Sequence, residues 1–298
     1  MRPARVDYDA VAHLYDTTPH RTKPIDPELL SFIVRRATPA DISVLDVGCG
    51  TGNQLIANRS IPTCVRMVGL DRSSGMLHQA RLKAPEIAWV QADGSVLPFR
   101  ADSFDFVTCQ FALHHINDKA GMLREVFRVL RRGGRLVVRN VCPQDSPDWL
   151  FYDYFPESQT IDLEDFWSPE NVTAQLDRAG FDAVDVEREH LHFAQDLRAW
   201  FDEVRQRATC SQLLAISDAG YQAGMRRLTD ELAARSEPLL RENHLCLVTI
   251  RGNKTAGPSA SSKAQSDING RREPGGEGPA PSSSAALDIP GSQRRSPS

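Results

Sequence analysis

The chain has 298 residues, 41% of them apolar and 25% charged, with a formal net charge of -4. No apolar run reaches the ~18 residues of a membrane span, and acids interrupt the first sixteen residues where a secretory leader would be apolar. The cysteines, Cys49, Cys64, Cys109, Cys142, Cys210 and Cys246, stand singly with no CxxC pair, which excludes a disulfide framework and a zinc knuckle and predicts a cytoplasmic chain with reduced thiols.

Two helices are predicted near the start. Tyr8, Val11, Ala12 and Tyr15 share one helical face, and Pro27 opens a second helix through Val34. From Ser43 short β-branched runs alternate with segments of helical period: SVLDV and a helix from Thr51; RMVGL and a helix from Ser73; IAWVQ; FDFVTCQ and a helix over Asp118 to Arg132; RLVVRN. Such alternation predicts crossover helices on a parallel sheet. An aromatic-rich stretch, WLFYDYF, follows, then a helix over Ser168 to Ala179, a strand FDAVDVE, a long helical stretch from about 195 to 240, and a last strand at LCLVTIR. From Lys254 onward Gly, Pro and Ser dominate, with too little apolar surface to offset ordering entropy. Residues 254–298 therefore read as a disordered tail, 41–253 as the folded domain, and 1–40 as N-terminal helices that form a lid. The tail carries six basic and four acidic residues, which leaves the rest of the chain at -6. Such acidity argues against a partner bound through general attraction to nucleic acid.

The segment VLDVGCGTG, Val44 to Gly52, ends a buried strand in three glycines and opens directly into a helix. A tight turn and close approach of a ligand to the backbone both require glycine here, and the following helix start offers unpaired N–H groups. Asn53 stands where a dinucleotide fingerprint places its third glycine, which disfavours a nicotinamide or flavin oxidoreductase. Asp71 ends the next strand, 25 residues after Asp46, where a carboxylate can receive both hydroxyls of a ribose. Its alternative role is a helix cap, which Ser73 can also supply. Asp93, followed by Gly94 and Ser95, closes the third strand in the same way.

Taken in order, VLDVGCGTG, VGLDRSSGML, QADGSVLPFRADSFDFV and EVFRVLRRGGRLVV resemble the motifs of the class I S-adenosylmethionine-dependent methyltransferases, in their UbiE-like branch. The resemblance implies a Rossmann-like α/β fold with a seven-stranded, mostly parallel sheet whose last strand is antiparallel, here with a helical substrate-cap insertion. It implies S-adenosyl-L-methionine as cofactor. Carried over by position, Gly48, Gly50 and Gly52, with Cys49 inside the turn, line the methionine part, and Asp46 orders the loop. Asp71 holds the ribose beside Arg72; Asp93, Gly94 and Ser95 hold the adenine; Met76 packs against the nucleoside or belongs to the core face of its helix, and Gln110 faces the amino-acid end.

Methyl transfer from a sulfonium needs alignment, exclusion of water and, for a protonated nucleophile, a base, but no metal. His115, just beyond the FDFVTC strand, reads as that base or as a polar wall. His190 and His192 alternate on one strand face without a third ligand nearby in sequence. Tyr15 and Arg21 read as lid residues over the cofactor and, with Tyr152 and Tyr154, as substrate-wall residues, the alternative for the aromatic rings being packing of the insertion onto the sheet. Arg128, Arg131, Arg132 and Arg135 form a basic run that complements a helix C-terminus or contacts RNA. The leading expectation is methylation of a small-molecule acceptor by in-line displacement. The alternatives are a tRNA wobble-uridine-type methyltransferase and a cofactor-binding protein without catalysis.

Overall fold

In the computed structural model of the chain, residues 6–17, 21–36, 42–61, 65–234 and 239–255 are described. Cys64 and the part of the tail from 256 to 298 lie outside them. Seven strands form one sheet: β1 (Ile42–Val47), β2 (Val65–Asp71), β3 (Ala88–Gln91), β4 (Phe104–Gln110), β5 (Leu130–Val141), β6 (Asp182–Asp196) and β7 (Leu240–Lys254), ordered β3-β2-β1-β4-β5-β7-β6. The pairs among β1 to β5 are parallel, and β7 runs antiparallel between β5 and β6. This is the seven-stranded sheet with a reversed last strand that the motifs implied. The chain order switches direction between β1 and its two neighbours, β2 and β4, so the carboxyl ends of these three strands open a crevice.

Burial explains why the central strands read as unbroken apolar runs. All six residues of β1 are buried, and neighbours along each strand feed opposite faces. Leu45, Val107 and Leu136 pack with Met122, Leu123 and Val126. Val44, Phe106 and Val137 pack on the other face with Leu29, Phe32, Leu55 and Leu77. The helices that supply these residues are capped in sequence-legible ways. A short α1 (Tyr8–Val11) continues as a 3-10 turn, Ala12–Thr17. Asp26 caps α2 (Pro27–Val34), Gly52 precedes α3 (Asn53–Asn58), Ser73 caps α4 (Ser74–Lys83) and Asp118 caps α5 (Lys119–Val129).

A third apolar cluster lies away from the sheet centre. The helices α6 (Leu150–Tyr154), α7 (Pro156–Asp165) and α8 (Pro169–Ala179) follow β5. Three more, α9 (Leu197–Val204), α10 (Ser211–Ala215) and α11 (Asp218–Ala233), fill the connection between β6 and β7. Leu150, Phe151, Tyr154, Phe155, Trp200 and Tyr221 pack together there. Among the described residues no helix is long and apolar enough to cross a membrane.

Two boundaries differ from the sequence reading. The helix expected to reach Arg132 stops at Val129, because Leu130 already pairs with Phe104 as β5 begins. The RRGG segment is an irregularity inside β5, with Gly133 at φ +79, and Arg135 resumes the register opposite Phe106. Lys254, placed by composition at the head of the tail, is the last residue of β7, and its ammonium donates to the carbonyls of Phe127 and Leu130. The basic run is dispersed by its partners. Arg128 pairs with Glu125 and Arg131 with Asp105, while Arg135 donates to Asn253.

Asp105 anchors the start of β4. Its side chain is 4% exposed and accepts from Ser43 N at 2.9 Å, Arg36 at 3.0 Å and Arg131 at 2.5 Å. Replacing it by Ala leaves a buried N–H and two guanidinium groups without an acceptor. With the arginines partly exposed, Asp105→Ala is expected to cost about 2–3 kcal/mol. Urea unfolding should show this as a lower midpoint at unchanged slope.

Candidate active site

The crevice holds a cavity of about 560 Å³, within the ~300–1,000 Å³ of small-molecule sites. Its floor is the loop after β1. Gly48 N and Cys49 N both donate to Leu70 O, at 2.7 and 3.0 Å, which ties the loop to the end of β2. Gly48, at φ +74, has no room for a side chain, since a Cβ would lie 2.4 Å from that of Ala112. Gly50, at φ +54, faces open space and lines the cavity. Gly52 serves packing instead: a Cβ there would meet the Trp89 ring at 2.3 Å.

Asp71 stands beside this loop. One carboxylate oxygen accepts from Gly50 N at 2.8 Å and the other from Ser73 N at 2.9 Å. Ser73 Oγ caps α4 by accepting from Met76 N, so the helix does not need Asp71 for its cap. Burial raises the Asp71 carboxyl above the usual carboxylate range, opposed by its backbone donors. Asp93 is held in a tight turn by Ser95 N and Oγ, at 2.8 and 2.7 Å, and those bonds lower its carboxyl. Asp71, Arg72, Met76, Asp93, Gly94 and Ser95 all line the cavity.

Other residues singled out in the sequence stand behind the wall. Asp46 is buried under the loop, and burial, with the charges of Asp26 and Asp71, pushes its carboxyl up to about 8. Cys49 is half-buried, with Sγ 3.7 Å from Gly50 O. Gln110 donates its amide to Asp26 at 3.1 Å, tying β4 to the cap of α2. Tyr152 donates to Asp162 at 3.1 Å and Tyr154 to Glu231 at 2.6 Å, and neither lines the cavity. Tyr15 does line it, and Arg21 sits over the Tyr15 ring at 3.9 Å and donates to its hydroxyl at 2.8 Å.

The other side of the cavity is built from the turn after β4 and from the N-terminal segment. His114 stacks on Phe166, 3.9 Å between centroids, and meets Asn140 at 3.2 Å. His115 Nε2 lies 2.6 Å from the hydroxyl of Tyr8. Both rings line the cavity, and sequence periodicity gave no hint of the contact because 107 residues separate them. Two aspartates hold the N-terminal segment in place. Asp9 accepts from Ser73 Oγ at 2.8 Å and Gly75 N at 2.6 Å; Asp16 accepts from Thr51 at 2.7 Å, Asn53 at 2.8 Å and Lys83 at 2.6 Å. The remaining wall includes Asn117, Asp118, Lys119, Glu164 and Asp165. His190 Nδ1 lies 3.0 Å from His244 Nε2 and His192 stacks on His244, yet among the described residues no group of three or more ligating side chains is placed to hold a metal.

Comparison with known proteins agrees with this geometry. Residues 45–138 match a methyltransferase domain family. A demethylmenaquinone methyltransferase of Lactiplantibacillus plantarum is 30% identical over 175 residues, which cover 49% of this chain and 72% of that protein. The chain belongs to the UbiE-like class I methyltransferases. It is an enzyme that uses S-adenosyl-L-methionine. A demethylmenaquinone methyltransferase of Beutenbergia cavernae is 28% identical over 250 residues, 79% of this chain and 91% of that protein. Among solved structures, Haemonchus contortus phosphoethanolamine N-methyltransferase 2 in complex with S-adenosyl-L-methionine has a TM-score of 0.53 at 19% identity, covering 83% of this chain and 57% of that one. That likeness shows a shared fold.

The methyltransferase cavity fits such a cofactor in shape and charge. The open face at Gly50 admits close approach to the loop backbone. Asp71, Asp93, Asp118, Glu164 and Asp165 outnumber Arg72 and Lys119 in the lining, a surplus that suits a cationic sulfonium.

Burial, and then the charges of Arg72 and Lys119, hold His115 down at about 4, against an ordinary 6.5. The unfolded chain therefore takes up a proton there before the folded enzyme does. The resulting stability is fully present above pH 6.5 and is lost as pH falls from 6.5 toward 4. Between pH 7.5 and 4.5 the unfolding free energy of the wild type should fall by about 2 kcal/mol more than that of His115→Gln. Denaturant titrations at both pH values check this.

Proposed function

We propose that the enzyme methylates a small aromatic acceptor carrying a hydroxyl group, of the quinol type, and that Tyr8 and His115 take the acceptor's proton. The relatives in the comparison are named for demethylmenaquinone, and the carrying observation is the 2.6 Å contact between Tyr8 and His115 at the cavity wall. S-adenosylmethionine, when bound, supplies an electrophilic methyl group on a positively charged sulfur. Against it this chain provides alignment and a proton acceptor. Burial keeps the Tyr8 phenol protonated well above its ordinary range, and it keeps His115 neutral. In the tautomer with Nε2 unprotonated, Tyr8 is the donor and Nε2 of His115 the acceptor.

An acceptor hydroxyl placed on Tyr8 Oη passes its proton to that oxygen as the Tyr8 proton moves to His115. Deprotonation raises electron density on the ring, which would make a ring carbon the nucleophile for the methyl group that the cofactor would supply when bound. The ring hydrogen would leave to water as a proton, and the product's oxygen would take its proton back from the Tyr8–His115 pair. Asp71, with both oxygens fixed by Gly50 N and Ser73 N, is oriented to receive the ribose hydroxyls. The Asp93 turn lies at the adenine end, and Met76, 1% exposed, forms an apolar wall beside the nucleoside.

Transfer of a labelled methyl group should favour a reduced naphthoquinol over RNA or protein acceptors. His115→Ala should lower kcat about 100-fold and Tyr8→Phe about 10-fold, with S-adenosylhomocysteine affinity in calorimetry little changed. Wild-type turnover in both variants on the preferred acceptor would remove the pair from the chemistry.

A further inference from the structure

The two adjacent histidines of the cavity wall offer opposite hydrogen-bonding faces. Val141 N donates to Asn140 Oδ1 at 3.1 Å, so the Asn140 amide turns its nitrogen toward Nδ1 of His114, 3.2 Å away. An amide nitrogen only donates, and the ring nitrogen that it meets is therefore the unprotonated one. Burial, with the charges of His115 and Lys119, holds His114 well below its ordinary range and keeps the ring neutral. A neutral imidazole carries its single proton on the other nitrogen, here Nε2. Stacking on Phe166, with planes 13° apart, and contact with the His115 ring, 3.8 Å between centroids, fix the plane of the ring. Nε2 of His114 has no hydrogen-bond partner among the described residues, yet it is not shut away as a buried unpaired atom. In a ring that lines the cavity, it is the polar atom left to face a ligand.

The Tyr8–His115 pair takes a hydroxyl proton, whereas His114 can only give a hydrogen bond. A ligand that meets both faces needs one oxygen that loses a proton and another that accepts. We propose that His114 Nε2–H binds a second oxygen of the acceptor ring, so that the site selects rings with two oxygens over rings with one. This rests on the quinol-type reading of the acceptor given above. A donor left unpaired in a closed site costs more than the bond itself is worth, which sharpens the discrimination. Asn140, 7% exposed and outside the cavity lining, acts through His114: it positions the proton without meeting the ligand.

Binding to the full-length chain loaded with S-adenosylhomocysteine tests the assignment without recourse to turnover. Naphthoquinol, kept reduced, offers two ring oxygens, and α-naphthol offers one. The wild type should bind the quinol about 10-fold more tightly than the naphthol. His114→Phe keeps the stack on Phe166 but removes the donor. It should weaken the quinol about 10-fold and leave the naphthol within about twofold, and His114→Gln, whose amide donates, should restore part of the loss. Equal binding of the two compounds by the wild type, or no selective loss of the quinol in His114→Phe, would overturn the proposal. Nitrogen NMR of the wild type with labelled histidine needs no substitution: His114 should carry its proton on Nε2, and a proton on Nδ1 would also overturn it. A wild type that binds neither compound would instead bring down the quinol reading, and this assignment with it.

Discussion

The hydrogen bond from Gly50 N to Asp71 is the joint on which the rest of the site depends. It ties the turn after β1 to the end of β2, whose registers already align Asp46 with Gly69 and Val47 with Leu70. A parallel sheet brings its strand ends level, but it does not fix the loops that leave them. Here Leu70 O takes two loop N–H groups and Asp71 takes a third, so the glycine turn is held open without occupying the space in front of Gly50. The same aspartate accepts from Ser73 at the head of α4. One side chain therefore sets the distance between the loop and the helix that frame the cavity.

The N-terminal segment is attached to these same two elements. Asp9 binds the start of α4 and Asp16 binds the start of α3 together with Lys83. An acid at a helix N-terminus meets unpaired N–H groups and the positive end of the helix dipole. These donors bring the carboxyl of Asp9 down. The attachment carries Tyr8 to His115 and Tyr15 to the cavity wall. The Tyr8–His115 contact thus relies on a segment anchored at the starts of α3 and α4, which couples the order of one half of the cavity to the other.

Local chemistry was the part legible in the sequence. Gly48 and Gly50 are required by positive φ at a turn, and Asp71 and Asp93 by strand ends that face a crevice; each follows from a few neighbouring residues. The contacts of Tyr8 with His115 and of Gln110 with Asp26 span 107 and 84 residues, and no periodicity encodes them. Aromatic density misled for a related reason. Tyr152 and Tyr154 have the composition of a binding wall, but Asp162 and Glu231 satisfy their hydroxyls inside the helical region. The run of arginines looked continuous only along the chain, because alternation and the irregularity at Gly133 send its members to different partners.

The helical insertion bears on the cavity wall through packing. Gly224 on α11 lies against Phe155, where a Cβ would come within 2.3 Å of the ring, and Arg227 reaches the Tyr154 carbonyl. Those contacts fix the junction between α6 and α7, and Tyr152 ties it to Asp162 near the far end of α7. Glu164 and Asp165, two and three residues further on, belong to the cavity wall. A change in the third apolar cluster would therefore move this wall of the cavity while leaving the Gly50–Asp71 joint intact. The buried core of the insertion thus shapes one wall of the cavity from behind, since Tyr154, Phe155 and Gly224 are not among the residues that line it.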